Sequence, residues 1–70
     1  MTRKDYQLIA KAFAFSTHMA AKYEFDTAGI NFTIGCFTVE LLEENPKFNT
    51  IKFLKAINEE IENLRERKVA

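Results

Sequence analysis

The side chains able to do chemistry are few: one histidine, His18, one cysteine, Cys36, and a run of carboxylates at Glu40, Glu43 and Glu44. An imidazole beside a thiol favours the thiolate, so His18 with Cys36 is the one pair that suggests nucleophilic catalysis. No nucleophile signature surrounds Cys36, whose neighbours Gly35 and Phe37 suit a small buried residue. His18 falls near the end of a helical segment, as a surface or boundary residue. Paired carboxylates do acid–base work only where a cleft separates their pKa values, and 70 residues rarely supply one. Glu40, Glu43 and Glu44 therefore read as a solvated helix face. A lone cysteine makes no intramolecular disulfide, and one histidine with scattered glutamates fits no metal-ligand spacing. Gly29 and Gly35 are too far apart for a phosphate-binding loop, which needs several glycines within one turn. No catalytic residue, cofactor or metal is assigned, and the chain is expected not to be an enzyme.

What positions these groups is one small domain over residues 1–70. Of the chain, 47% is hydrophobic and 29% charged, with two glycines and one proline, which is neither a disordered nor a linker composition. A domain of this size buries only about 60% of the surface its unfolded chain exposes. Without disulfide or metal, oligomerisation is the remaining supplement. Seven Phe and two Tyr point the same way, because so small a core has little room for nine rings.

The elements read as three helices. Thr2 with Asp5 makes an approximate capping box, after which Tyr6, Ile9, Ala10, Phe13, Thr17, Ala20 and Ala21 recur at three- and four-residue steps, predicting a helix over 3–23. Residues 30–36 alternate apolar with polar or small types and taken alone would form a strand. The pattern slips at Cys36-Phe37, a lone strand has no pairing mate, Asp26 and Thr27 are good N-caps, and residues 39–44 are an ordinary helix tail before Pro46. The second helix is accordingly placed at 27–44, with Gly29 and Gly35 as weak points or places where another helix approaches closely. Asn49 caps a third helix over about 50–67, in which Leu54, Ile57, Ile61 and Leu64 follow coiled-coil spacing for two heptads. That stripe reads as an amphipathic helix on a core, with pairing to another copy as the alternative. Its basic end, Arg65-Glu66-Arg67-Lys68, suits the negative pole of the helix dipole. The fold class is all-α, a three-helix domain assembled as a helical-bundle dimer.

The formal charge of zero conceals a pattern: residues 1–24 carry four basic and two acidic groups, residues 25–46 none and four, and residues 47–70 six and four. Residues 20–30 resemble the turn of a helix-turn-helix, but a recognition helix offers Arg, Lys, Asn or Gln to DNA, and residues 25–46 hold only Asn31 and Asn45 of these. Nucleic acid is therefore not the expected partner. The longest charge-free stretch, Thr27 to Val39, falls short of the ~20 apolar residues that span a bilayer, and no signal-peptide core follows Met1. A cytoplasmic chain with no membrane contact is expected.

Two blocks, Met1-Thr2-Arg3-Lys4-Asp5-Tyr6-Gln7-Leu8-Ile9-Ala10-Lys11-Ala12 and Leu41-Leu42-Glu43-Glu44-Asn45-Pro46-Lys47-Phe48-Asn49-Thr50-Ile51-Lys52-Phe53-Leu54, resemble a group of small uncharacterised phage and cyanophage-type proteins. Those proteins start with a Thr-Arg-Lys-Asp-Tyr-like run and carry an Asn-Pro-Arg-Phe-Asp…Arg-Phe-Leu-like run near their end. The resemblance implies one compact helical unit in which Asn45 to Asn49 form a loop-and-cap element, with Phe48 as a hydrophobic staple. It assigns no site residue. The aromatic middle and Asn58 to Ala70 depart from the group's pattern. The expectation is a small phage- or virus-type non-enzymatic protein in the host cytoplasm, a homodimer that binds a host or viral protein and inhibits a host enzyme or defence complex in one form of the role. The alternative is a phage-encoded DNA-binding regulator of helix-turn-helix type. The residues expected at the interface are Phe15, Tyr23, Phe25, Phe37, Phe53, Leu54, Ile57, Ile61 and Leu64, since buried aromatic and aliphatic anchors dominate interfaces.

Overall fold

A computed structural model describes residues 2–67, which form α1 (Arg3–Lys22), α2 (Ala28–Glu44) and α3 (Thr50–Arg67) and, among the described residues, no strand. The expected three-helix, all-α architecture is what the chain adopts. Lys68, part of the expected basic end of α3, lies outside the described residues.

Each helix start has a local cause. The Thr2 hydroxyl accepts from the Asp5 N–H at 3.3 Å and the Asp5 carboxylate accepts from the Thr2 N–H at 2.9 Å, a complete capping box that satisfies two orphan donors. The Asn49 side chain likewise accepts from the Lys52 N–H at 3.0 Å. Thr27 holds the N-cap position of α2 but makes no side-chain cap bond. Asp26 takes over, its Oδ1 accepting from the Ala28 N–H at 2.9 Å.

The first turn departs from the expected boundary, because Tyr23 is the cap of α1 and not part of it. The Phe25 N–H donates to the Ala20 carbonyl at 2.8 Å and the Glu24 N–H to Ala21 at 3.2 Å, the paired bonds of a Schellman ending. That geometry puts Glu24 at φ 60°, where a side chain is crowded and glycine is usual. At the second turn the Phe48 N–H donates to the Asn45 carbonyl at 2.9 Å around Pro46, while the Asn45 side chain accepts from the Lys47 N–H at 3.1 Å.

The strand-like middle is helical along its whole length. The Thr33 hydroxyl donates to the Gly29 carbonyl at 2.9 Å and that of Thr38 to Ile34 at 2.7 Å, so both find partners inside a helix. The alternation lost because three-to-four spacing places Ile30, Ile34, Phe37 and Leu41 on one side, where they meet the core.

Helices α1 and α3 pack along one another with their N-terminal ends together, while α2 meets α1 at few points and α3 at fewer. Ala10 and Ala14, 1% and 0% exposed, remove bulk on α1 in the small core that holds Phe53 and Ile57. The helix α2 reaches that core through larger side chains: the Phe37 ring stands edge-on to Phe13 at 5.3 Å. A chain of rings runs Tyr6, Phe48, Phe53, Phe13, Phe37 at 4.9, 5.4, 6.5 and 5.3 Å and ties all three helices together.

Candidate functional site

The groups with chemical potential do not assemble. Cys36 is exposed, not buried as its small neighbours suggested, because the core-facing side of α2 is the one that holds Ile30, Ile34, Phe37 and Leu41. His18 on α1 is half-buried. Glu40, Glu43 and Glu44 are exposed, and among the described residues no group of three or more His, Cys, Asp or Glu is placed to hold a metal ion. No helix of the described residues is long and apolar enough to cross a membrane.

The nine residues expected at an interface divide in three. Phe15, Tyr23, Phe25 and Leu54 are exposed at 55, 57, 70 and 40%. Phe37, Ile61 and Leu64 are partly covered and pack against the core. Phe53 and Ile57, 5% and 3% exposed, are core residues and not surface anchors. The coiled-coil spacing of α3 is thus consumed within the chain: three of its four positions belong to or pack against the core, and Leu54 lies at the edge.

Two exposed apolar faces are present, of which the sequence reasoning singled out Phe15, Tyr23 and Phe25 but not Leu8, Phe32, Val39 or Leu42. On α1, Leu8 at 69% and Phe15 at 55% lie opposite the buried alanines, continued by Ala12 and Met19 at steps of four, three and four. Lys4, Lys11 and Lys22 are exposed beside this face, and Asp5 is the one acidic residue of α1. Tyr23 and Phe25 extend it into the first turn with rings 6.5 Å apart, and the Lys22 ammonium stands 5.7 Å from the Tyr23 ring. On α2, Ala28, Phe32, Gly35, Val39 and Leu42 recur at steps of four, three, four and three, with Phe32 75%, Val39 55% and Leu42 41% exposed. A helix apolar on both sides belongs inside a larger core. Burying one such Phe or Val fully contributes about 1.5–3 kcal/mol. The signal was legible in the spacing. Once Ile30, Ile34, Phe37 and Leu41 point inward, Phe32 and Val39 must point out.

A third feature is a shallow cleft of about 460 Å³ where the N-terminal ends of α1 and α3 meet the second turn. Tyr6, Phe48 and Phe53 form its apolar part, Arg3, Lys47 and Lys52 bring three cations, Gln7, Asn45 and Asn49 bring amides, and no acidic residue lines it. Residues from the start of the chain and from the second turn onward, far apart in sequence, converge there.

Set against known protein families, curated proteins and solved structures, the chain matches none.

Proposed function

We propose that this chain is a small non-enzymatic protein that acts by binding another protein, as a homodimer. The observation that carries the reading is the α1 face, where Leu8 and Phe15 stand exposed between Lys4, Lys11 and Lys22 and continue into the Tyr23–Phe25 pair. Exposed apolar anchors flanked along α1 by Lys4, Lys11 and Lys22 suit a partner with an apolar groove and acidic residues beside it. The resemblance to phage-type proteins supports a host or viral protein as that partner and the host cytoplasm as the place of action, with inhibition of a host enzyme or defence complex as one form. Affinity capture with the tagged chain tests it. The wild type retains a partner that the Phe15→Glu variant loses while its melting curve is unchanged, and equal capture by both variants defeats the assignment of this face.

The nucleic-acid reading has one observation in its favour, the cleft lined by Arg3, Lys47 and Lys52 with Tyr6 and Phe48 and by no acidic residue. It differs from the helix-turn-helix proposal in its location, since α2 carries no Lys or Arg. A gel shift that weakens steeply as salt rises, and that Lys47→Glu abolishes, would favour this second reading over the first.

A further inference from the structure

We propose that the outer face of α2 is the seam on which a second copy of this chain docks, with the two α2 helices antiparallel and crossing at Gly35. The inference deepens the homodimer reading above and rests on it. Three observations select this occupant.

The stripe complements itself. Centred on Gly35, an antiparallel copy sets Phe32 against Val39 and Ala28 against Leu42, large opposite smaller at each level, and glycine opposite glycine at the crossing. Interdigitation of this kind fills a seam without voids. The crossing point is also open, for a Cβ added at Gly35 would meet no atom within 4 Å, so the chain's own helices make no use of the glycine.

Charge selects the direction. From Ala28 to Val39 the helix carries no charged residue, whereas Glu40, Glu43 and Glu44 crowd its C-terminal end. A parallel pair would set these carboxylates side by side. The antiparallel pair carries each set to the partner's α2 N-terminus, whose first turn holds no acidic residue and whose dipole is positive. Lys22, the last residue of α1, belongs to that same end. Glu24 and Asp26 are there too, the Asp26 carboxylate accepting from the Ala28 N–H, so the direction is set by keeping the two sets of Glu40, Glu43 and Glu44 apart and not by a net positive end.

Attachment to its own chain leaves α2 underused. It is the most apolar of the three helices and the least packed against the others. A second α2 covers what α1 and α3 leave bare and leaves the lysine-flanked α1 face of each copy free.

Sedimentation equilibrium over a concentration series tests the seam on the full chain. The wild type is expected to dimerise reversibly. Phe32→Glu and Gly35→Leu, both at positions open to solvent, raise the dimer dissociation constant about thirtyfold or more, the effect of one interface hot spot. Circular dichroism of the monomers stays unchanged, and Phe15→Glu leaves the dimer intact. Direction is read in a Cys36→Ser background, where chains bearing Ala28→Cys crosslink to chains bearing Leu42→Cys and not to one another. A strictly monomeric wild type, or a dimer indifferent to both α2 variants, overturns the seam; crosslinking between two Ala28→Cys chains overturns the antiparallel arrangement. A monomer that still captures its partner through Phe15 refutes the seam and the homodimer but not the partner-binding face, and a dimer that captures nothing leaves the seam standing while the partner-binding reading fails.

Discussion

The ring of Phe48 lies 5.4 Å from that of Phe53, joining the residue before the α3 cap to the fourth residue inside the helix. This is the hydrophobic staple that the sequence suggested, and its other side rests on Tyr6 at 4.9 Å. One half-buried ring therefore fixes the entry of α3 and holds the start of α1 against it.

Removing that ring loosens both ends together. Phe48→Ala is expected to lower stability by about 2 kcal/mol, and Phe53→Ala by about 3–5 kcal/mol, enough to abolish cooperative unfolding in a domain this small. Urea titration followed by far-ultraviolet circular dichroism measures both. A double-variant loss smaller than the sum of the two single losses would show that the staple and the core are not separate contributions.

The turn between α1 and α2 stores a small strain. Glu24 sits at φ 60° with both bonds of the Schellman ending in place, so Glu24→Gly keeps the geometry and relieves the crowding. A gain of about 1 kcal/mol is expected, seen as a higher midpoint in urea with an unchanged slope. A loss of stability would mean that the Glu24 side chain makes a contribution beyond its backbone.

The caps differ in a way the residue types alone do not show. Thr2→Ala and Asn49→Ala each remove a cap bond and should cost about 1 kcal/mol. Thr27→Ala, which removes no side-chain cap bond, should change stability little, whereas Asp26→Ala releases the Ala28 N–H and should cost about 1 kcal/mol. Equilibrium unfolding of the four variants ranks them. A Thr27 cost equal to that of Asn49 would contradict the capping seen here.

Surface apolar residues should separate binding from folding. Replacing Leu8 or Tyr23, 69% and 57% exposed, by Ser is expected to leave the melting curve within about 0.5 kcal/mol of wild type and to weaken partner capture. A large destabilisation by either would show that these side chains support the fold, and unchanged capture would remove them from the partner-binding face.

Local signals in the sequence carried most of the fold. Thr2, Asn49 and Pro46 mark boundaries through bonds that reach three residues or fewer, and the spacing of Ile57, Ile61 and Leu64 marks a helix because 3.6 residues make a turn. The middle was harder, since Thr33 and Thr38 are β-branched and favour strands until their hydroxyls find carbonyls four residues back, a bond that exists only once the helix has formed. The candidate site was legible only in part. Phe15, Tyr23 and Phe25 stand exposed as expected of interface residues, but composition alone cannot tell them from Phe37 and Phe53, which are rings of the same kind.

Caps, turns and periodicity act over a few residues, so the sequence places the helix ends to within a residue and shows that nine rings crowd a small core. Only the tertiary structure decided which rings go inside. Ala10 and Ala14 sit within the core that α3 fills, and α2 is left to touch that core through Ile34, Phe37 and Leu41 with Phe32 and Val39 turned outward. A helix has one side toward its neighbours, and which side that is depends on residues distant in the chain.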